Sequence, residues 1–455
     1  MSATFRSLGI FNYRLWFAGA TVSNVGTWMQ RTAQDWVILT ELTDHDAVAV
    51  GIGMALQFGP ILLLTPVSGL VADLVDRRKI LIATQIAMGA LSLALGILFL
   101  AGVLELWMVF LFAGLLGVIS AFDNPARQAF VSELVPHEYT SNAIGLNGTS
   151  FTLARLIGPG IAGLLTATTG AGWVFLINFG TFLATIIVLV TMRRDELVPV
   201  PRREGERARM RDGARFVGTR PDIGIVLVGA LVFGAFAMNF AIFTPTMTSV
   251  EFGLGATEFG ILSSCISVGS ITGALLGARR ERPTIRIIAI GALAFGLLGL
   301  VAAIAPSVWV YGAIMAGMGV ASMLVLNTSN AYVQTNTPAA VRGRVMAIYA
   351  AVVIGSTVFG APLVGWVADV FGPRWAVVVG AAGGLVPAVI LGVWWAVRRG
   401  RARRDAREAA GTTAAEPSVL DRPEQVRGDR GVDGLGVAGV EDAGEDVALD
   451  ASQLR

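Results

Sequence analysis

The sequence predicts an all-α membrane protein with twelve transmembrane helices, arranged as two pseudo-symmetric six-helix bundles with both termini in the cytoplasm. Three observations predict it: an apolar composition, twelve apolar stretches of spanning length, and arginines confined to alternate loops. Of the 455 residues, 54% are hydrophobic and 15% are charged, whereas a soluble domain carries about 25% charged residues. The composition therefore excludes an ordinary soluble enzyme, a disordered chain and a disulfide scaffold.

Few residues in the chain are suited to cofactor chemistry. The chain has one cysteine, Cys265, and two distant histidines, His45 and His137, so no zinc-binding cluster is predicted. The single lysine, Lys79, stands in D-R-R-K-I, without the glycines of a nucleotide-binding P-loop. We therefore expect no metal, nucleotide or covalent cofactor, no enzymatic activity and no nucleic-acid partner.

A helix needs roughly 20 apolar residues to cross the hydrocarbon core of a bilayer. Runs of that length occur at about 15–41, 48–72, 79–101, 105–124, 141–167, 172–192, 222–249, 257–278, 285–305, 308–331, 343–368 and 375–397. The first run is not a cleaved signal peptide, because polar residues interrupt it and no small-residue cleavage site follows. Several connections are so short that neighbouring helices are expected to pack antiparallel.

Positive charge lies almost entirely in alternate loops, which orients the spans. Nine arginines lie between Arg193 and Arg220, whereas the six loops on the opposite side contain one positive residue, Arg374. This distribution predicts a cytoplasmic location for both termini. The predicted domains are an N-terminal bundle 1–192, a basic cytoplasmic linker 193–221, a C-terminal bundle 222–397 and a disordered cytoplasmic tail 398–455.

The two halves repeat one another weakly. A shift of 202 residues aligns Gly158 with Gly360 and Gly163 with Gly365, and a shift of 208 aligns Gly69 with Gly277. Two six-span halves repeated in parallel predict a transporter whose halves rock around a site between them.

Several motifs then resemble known families. GLVADLVDRRK, between spans 2 and 3, resembles the signature loop of the major facilitator superfamily. FDNPARQAFVSELVP, LARLIGPGIAG and NAYVQTNTPAAVRGRVMAIY are similar to the bacterial enterobactin-exporter and macrolide-efflux branch. The resemblance covers about residues 5–397. It implies a multi-pass protein of the bacterial cytoplasmic membrane that exports a small amphiphilic compound by proton antiport, such as a drug, a macrolide-like molecule or a siderophore. The expected partners are the lipid bilayer, the substrate and protons, and we expect a monomer.

The resemblance also implies roles for two groups of residues. In the superfamily, an acid and bases of the signature loop hold the cytoplasmic side closed in one state, and the matching gate candidates here are Gly69, Asp73, Arg77, Arg78, Asp123 and Arg127. Asp76 occupies a position where glycine is common. Span 5 resembles the antiporter motif of exporters at Gly158, Pro159 and Gly163. For the charged residues of the loop, the simpler alternative to gating is anchoring of the loop on the cytoplasmic side. For the span 5 motif, the simpler alternative is tight helix packing.

Three ionisable residues inside predicted spans are the candidates for proton coupling: Asp35, Arg31 and Arg155. Arg31 and Asp35 are four residues apart on one helix face. At 1.5 Å per residue, Arg31 lies roughly 24 Å deep, Asp35 roughly 30 Å and Arg155 roughly 21 Å. An ionisable group inside a bundle costs at least about 2.5–3.5 kcal/mol unless it is paired or hydrated. One interpretation is that Asp35 exchanges a proton near two arginines that lower its pKa or bind an anionic substrate group. The structural alternatives are that Arg31 and Asp35 form a fixed ion pair that orients span 1, or that Asp35 lies close enough to the outer surface to be hydrated.

Other polar and aromatic residues inside the spans are candidates for a substrate cavity. They are Asn24, Gln34, Gln57, Asn147, Phe236, Asn239, Phe240 and Asn327. The aromatic residues of span 7 suit either a lipophilic substrate or a lipid-facing surface. Two further functions stay open: a proton-coupled importer of a small nutrient, and a membrane accessory protein that transports nothing.

Overall fold

The computed structural model of the chain describes residues 3–198, 210–278 and 283–415. Inside these ranges, the side chains of residues 3, 4, 66, 210, 278 and 402–415 and of Asp73 lie outside this description. The chain divides into a compact unit, Met1–Arg399, and a second unit, Gly400–Arg455. Every regular element in the described ranges is helical, which confirms the all-α class.

Six long helices make up the first half of the compact unit: α1 (Phe11–Thr40), α2 (Ala47–Leu74), α3 (Arg77–Leu100), α4 (Leu106–Glu133), α5 (Thr140–Thr169) and α6 (Ala171–Thr191). The chain continues with α7 (Met210–Thr219), α8 (Pro221–Val232), α9 (Phe240–Thr246), α10 (Ala256–Ala278), α11 (Ile285–Ala303), α12 (Val308–Thr335), α13 (Ala339–Phe371) and α14 (Pro373–Ala415). A kinked 3₁₀ segment lies at Ala3–Gly9, and single 3₁₀ turns lie at His137–Tyr139 and Arg194–Glu196. Turns of π-helix flank α9 at Phe233–Ala237 and Met247–Glu251.

The helices match the predicted spans closely, with three differences. The predicted linker contains α7, whose Asp212 pairs with Arg344 of α13 at 3.2 Å. The last helix continues to Ala415, past the predicted end of span 12 at 397, so the start of the predicted disordered tail is helical. Residues 416–455 of that predicted tail lie outside the described residues. The third difference is a break in the seventh span.

That break lies at Met238 and Asn239, between the π-turn Phe233–Ala237 and α9. A break leaves backbone carbonyls without helical partners, which is costly at membrane depth unless another donor is supplied. The Asn239 side-chain amide is this donor: its Nδ2 donates to the carbonyl oxygens of Ala235, at 2.6 Å, and Phe236, at 3.2 Å. One side chain thus compensates for the interruption.

By length and apolar composition, eleven helical segments of the described chain are able to cross a membrane. The break in the seventh span does not prevent it from qualifying, since Pro221–Glu251 counts as one segment. Helix α1 is not among the eleven, because polar residues such as Asn24, Gln30, Arg31 and Asp35 interrupt its apolar sequence. The chain is a multi-pass membrane protein.

Two pairs of helices join the halves in a symmetric way. Helix α2 packs on α13, and α5 packs on α10. An added Cβ on Gly51 of α2 would lie 2.6 Å from the carbonyl oxygen of Ala361 in α13, so the backbones are nearly in contact. In α5, an added Cβ on Gly163 would clash with Gly260 of α10. Small residues permit this close approach of helices inside a membrane.

The closest backbone contacts between these helices lie toward one end of each helix. The close contacts involve the beginning of α2 and the end of α5. By contrast, an added Cβ on Gly69, late in α2, or on Gly145, early in α5, would meet no described atom within 4 Å.

Candidate functional site

The three predicted coupling residues lie close together, and all are deeply surrounded by protein. Arg31 lies within electrostatic range of both Asp35 and Arg155. The three side chains nevertheless keep part of their surface accessible.

The three charges are not paired with each other. Within the described part of the chain, the side chains of Arg31, Asp35 and Arg155 form no hydrogen bond or ion pair. The Arg31 Nε atom is fully buried and without a partner. The simple alternative of a fixed Arg31–Asp35 ion pair is therefore not the arrangement in this conformation.

Trp28 brings the two arginines together. The Cζ atoms of Arg31 and Arg155 lie 5.3 and 5.4 Å from the centre of the Trp28 ring, and that of Arg31 also lies 5.6 Å from the Phe58 ring. Guanidinium–aromatic contacts are favourable, more so where water is excluded. These contacts hold the two cations near each other despite their mutual repulsion.

The glycines and proline of the predicted antiporter motif position this site. An added Cβ on Gly158 would lie 2.6 Å from the Trp28 Cβ, so the absence of a side chain allows α5 to approach α1. Gly163 faces α10 of the other half, and Pro159 is buried inside α5. The Arg155 backbone carbonyl also accepts a hydrogen bond from Ser267 of α10 at 3.2 Å. The motif thus connects the charged site with the contact between halves.

Directly beyond Asp35 the halves are in contact. Trp36 stacks on Phe259 of α10, with ring centres 5.0 Å apart and an interplanar angle of 23°. A second contact crosses the halves at the start of α2. There, the backbone N–H groups of Ala47 and Val48 donate to the two carboxylate oxygens of Asp369, at 2.8 and 2.9 Å. We refer to Trp36, Phe259, Asp369 and the first turn of α2 as the outer closure.

The predicted gate residues whose side chains are described have partners in the first half. Arg77 pairs with Glu133 of α4. Arg78 donates to the carbonyls of Leu189, at 2.6 Å, and Val190, at 3.0 Å, near the end of α6. Gly69 faces open space, and the side chain of Asp73 lies outside the description. The contribution of this loop to gating stays a prediction.

The local structure explains why aspartate occupies position 76 of the loop. It is the N-cap of α3, and its side chain accepts hydrogen bonds from the backbone of Arg78, at 2.9 Å, and Lys79, at 3.4 Å. Aspartate is among the preferred N-cap residues because it satisfies free N–H groups at the helix start.

Asp123 is the centre of a buried polar cluster. It accepts hydrogen bonds from Thr84, at 2.7 Å, and Gln85, at 3.0 Å, and pairs with Arg127 at 2.9 Å. The Arg127 guanidinium also lies over Trp16, with Cζ 5.3 Å from the ring centre. The cluster joins α3 and α4. The predicted gate residues Asp123 and Arg127 therefore help to hold these two helices together.

The predicted cavity residues differ in exposure and in surroundings. Asn24 and Asn147 are partly exposed, and Gln34 and Gln57 are buried, the latter with an Nε2 atom that has no partner. Phe236 is partly exposed. The remaining members lie in the second half: Asn239 in the helix break, Phe240 against Phe243 and Phe295, and Asn327 in a separate pocket of about 420 Å³ beside α10 and α11.

Sequence reasoning missed a second polar cluster, in the first half. Gln30 Oε1 accepts hydrogen bonds from Ser92 Oγ, at 2.7 Å, and from the amide of Asn178. Polar residues at matching depth in three apolar spans were the available signal. The contribution of Trp28 was also missed, because an aromatic residue in an apolar span carries no sequence signal of its own.

A bundle of long apolar helices, with α2 packed on α13 and α5 packed on α10, is the architecture of a membrane transporter of the major facilitator type. The sequence profile of the transmembrane secretion effector family matches residues 2–431, and the chain belongs to this family. The family assignment confirms the resemblance found in the motifs.

Similar proteins agree with this assignment. The chain is 23% identical over 373 residues to the staphyloferrin A transporter of Staphylococcus aureus, covering 79% of this chain and 90% of that protein. It is 27% identical over 360 residues to the enterobactin exporter EntS of Escherichia coli, covering 77% and 84% respectively.

Solved structures share the fold. A bacterial homologue of the human lysosomal transporter Spinster, in an inward-facing and occupied conformation, superposes with a TM-score of 0.68 at 15% identity, over 86% of this chain and 97% of that one. A D-xylose–proton symporter gives 0.66 at 12% identity, over 83% and 96%. At these identities the likeness concerns the fold alone.

Proposed function

We propose that this protein exports a small amphiphilic compound from a bacterial cell across the cytoplasmic membrane by proton antiport, with Asp35 as the coupling residue. In this proposal α1 is the first of twelve spans, the segments before α1 and after α14 are cytoplasmic, and the two six-helix bundles alternate around the central site. The substrate class is a drug-like compound, a macrolide or a siderophore, and the relatives named for staphyloferrin A and enterobactin favour the last.

The observation that carries the proposal is the position of Asp35. It is one turn from Arg31 and one residue from Trp36 of the outer closure, and it is enclosed but unpaired. A residue there is shielded from the outside by a contact that must open during transport. A carboxyl group at such a boundary is suited to take up a proton when the closure opens.

Coupling follows from the change in charge. An ionised Asp35 attracts Arg31 and needs water or a counter-charge, whereas a protonated Asp35 needs neither. The two protonation states therefore favour different arrangements of the halves, which is the requirement for a proton to drive a conformational equilibrium. A substrate bound among the helices of both halves is then carried from one side to the other.

Everted membrane vesicles test this function. A radiolabelled siderophore identified by a susceptibility screen of a deletion strain is supplied outside the vesicles, and an inside-acid gradient is imposed. Wild-type protein should accumulate it because protons leave as substrate enters. Asp35→Asn should abolish gradient-driven accumulation, since the side chain no longer exchanges a proton.

Asp44→Asn is the matched control, because Asp44 is a fully exposed acid beyond the outer closure; it should transport normally. Full gradient-driven accumulation by Asp35→Asn would assign coupling to another residue. Accumulation driven only by the opposite gradient would make the protein a proton-coupled importer. The absence of any transported compound would favour an accessory protein.

A further inference from the structure

The charged site of α1 and α5 carries an unbalanced positive charge. Two guanidinium groups and one carboxylate give a net charge of +1 when all are ionised, and none of the three has a hydrogen-bond or ion-pair partner among the described residues. Uncompensated charge away from bulk water is strongly unfavourable. Packing alone offers no reason to keep a second arginine, because Arg31 and Asp35 would already be neutral together.

Among the described residues, the side chains of Arg31 and Arg155 have no hydrogen-bond acceptor for their N–H groups. Both guanidinium groups lie against the Trp28 ring, and the N–H donors of a guanidinium project in its own plane. The Arg31 Nε–H is buried without an acceptor. A planar anion with two oxygens is the ligand that such donors fit best, often in a bidentate arrangement.

The surroundings of the arginines are aromatic. Trp28 and Phe58 contact the guanidinium groups, and Phe151 packs edge-on against Trp28 with ring centres 5.9 Å apart. Phe151 is itself 48% exposed, so this group of rings keeps accessible surface. Aromatic rings pair favourably in stacked or edge-on arrangements. The site therefore offers an anion-binding end and an aromatic flank.

We propose that Arg31, Arg155 and Trp28 form a subsite for the carboxylate of an aromatic acid. The inference rests on the proposed transport function, of which it specifies the substrate class. One carboxylate neutralises the site while Asp35 stays ionised. The negative charge of Asp35 lies near Arg31 and therefore repels a bound carboxylate. Protonation of Asp35 removes this repulsion and strengthens carboxylate binding.

Calorimetric titration of the purified full chain in detergent tests the proposal with two probes of matched shape, 2-naphthoate and its neutral analogue 2-naphthamide. Wild-type protein should bind the carboxylate about tenfold more tightly, the value of a charged hydrogen bond made with the arginines. Arg155→Gln leaves a neutral Arg31–Asp35 site and should remove this preference. Its affinity for the amide should fall much less than its affinity for the carboxylate, because the amide carries no charge to lose its partner.

Two further variants separate this subsite from general effects. Arg286→Gln is the control, because Arg286 also lies over a tryptophan, Trp395, at 5.6 Å but belongs to another part of the fold; it should keep the preference. Asp35→Asn should increase the preference, since it removes the opposing charge. Equal affinities for the two probes in wild-type protein, failure of the carboxylate to bind, or a preference retained by Arg155→Gln would each overturn the proposal.

These measurements use no gradient and no transport. A carboxylate preference together with failed export would preserve the subsite and reject the proposed transport function. Export together with equal binding of the two probes would preserve the proposed transport function and reject the subsite.

Discussion

The absence of a side chain at Gly158 sets the distance between α1 and α5. An added Cβ there would lie 2.6 Å from the Trp28 Cβ and 3.1 Å from the Val25 carbonyl oxygen. Backbone and Cβ atoms cannot move aside as the end of a flexible side chain can. The residue that resembles an exporter motif in sequence is therefore needed for the position of the ring that holds both arginines.

Gly158→Ala should consequently lower stability and transport together. Forcing an extra methyl group into a packed site costs about 1–3 kcal/mol, which exceeds the gain of up to about 1 kcal/mol from replacing glycine in a helix. Thermal unfolding of the purified protein measures the first effect, and vesicle accumulation measures the second.

Gly180→Ala in α6 is the control, because a Cβ there meets no described atom within 4 Å, and we expect no loss of stability. A Gly158→Ala protein as stable and active as wild type would show that α1 and α5 have room to separate.

At the scale of whole helices, polar residues tie neighbouring spans together. Asp123 of α4 receives hydrogen bonds from Thr84 and Gln85 of α3 and pairs with Arg127, and all of these groups are buried or nearly so. Breaking a buried pair by removing one charge leaves the other without compensation and costs about 3–5 kcal/mol.

Asp123→Asn should therefore reduce stability strongly, because Arg127 then stays buried without its carboxylate. Denaturant or thermal unfolding of the purified protein measures the loss. Glu196→Gln removes the acid of an exposed pair with Arg193 and should change stability little. Unchanged unfolding of Asp123→Asn, accompanied by altered transport, would indicate that the residue is a gate component and not a structural one.

The long helices were predictable because apolar length is a direct consequence of bilayer thickness. The break in the seventh span was not, since its sequence stays apolar through Met238 and only the side-chain amide of Asn239 compensates the interruption. Arg31 and Arg155 were predicted to lie at similar depth, but their common contact with Trp28 depends on how α5 packs on α1. Helix packing of this kind is set by small residues such as Gly158, and sequence spacing does not specify the partner.

At the scale of the whole molecule, closure on one side depends on a few contacts between the halves. Asp369 of α13 accepts two backbone hydrogen bonds from the first turn of α2. A negative charge at a helix N-terminus is stabilising by about 0.3–1 kcal/mol, and by up to about 2 kcal/mol in partly buried geometry. Since 1.4 kcal/mol corresponds to a tenfold change in an equilibrium constant, this one contact is able to shift the balance between closed and open states.

Asp369→Ala should accordingly increase the population in which the outer ends are separated. Spin labels at Trp107→Cys and Trp309→Cys report on it, because both tryptophans are exposed near the starts of α4 and α12 and Cys265→Ser removes the only native cysteine. Double electron–electron resonance should show a longer distance component in the variant.

Asp46→Ala distinguishes a contact between halves from simple capping of α2. Asp46 also caps α2, accepting from the Ala49 N–H at 2.9 Å, but it belongs to the same half as that helix. Removal of the Asp46 side chain frays the start of α2 without releasing the other half. The substitution also removes a negative charge that acts on Asp369. The distance between the two spin labels should therefore be the same as in the labelled protein without this substitution, or shorter. A similar lengthening in both variants would mean that the helix start, and not Asp369 itself, keeps the two halves together.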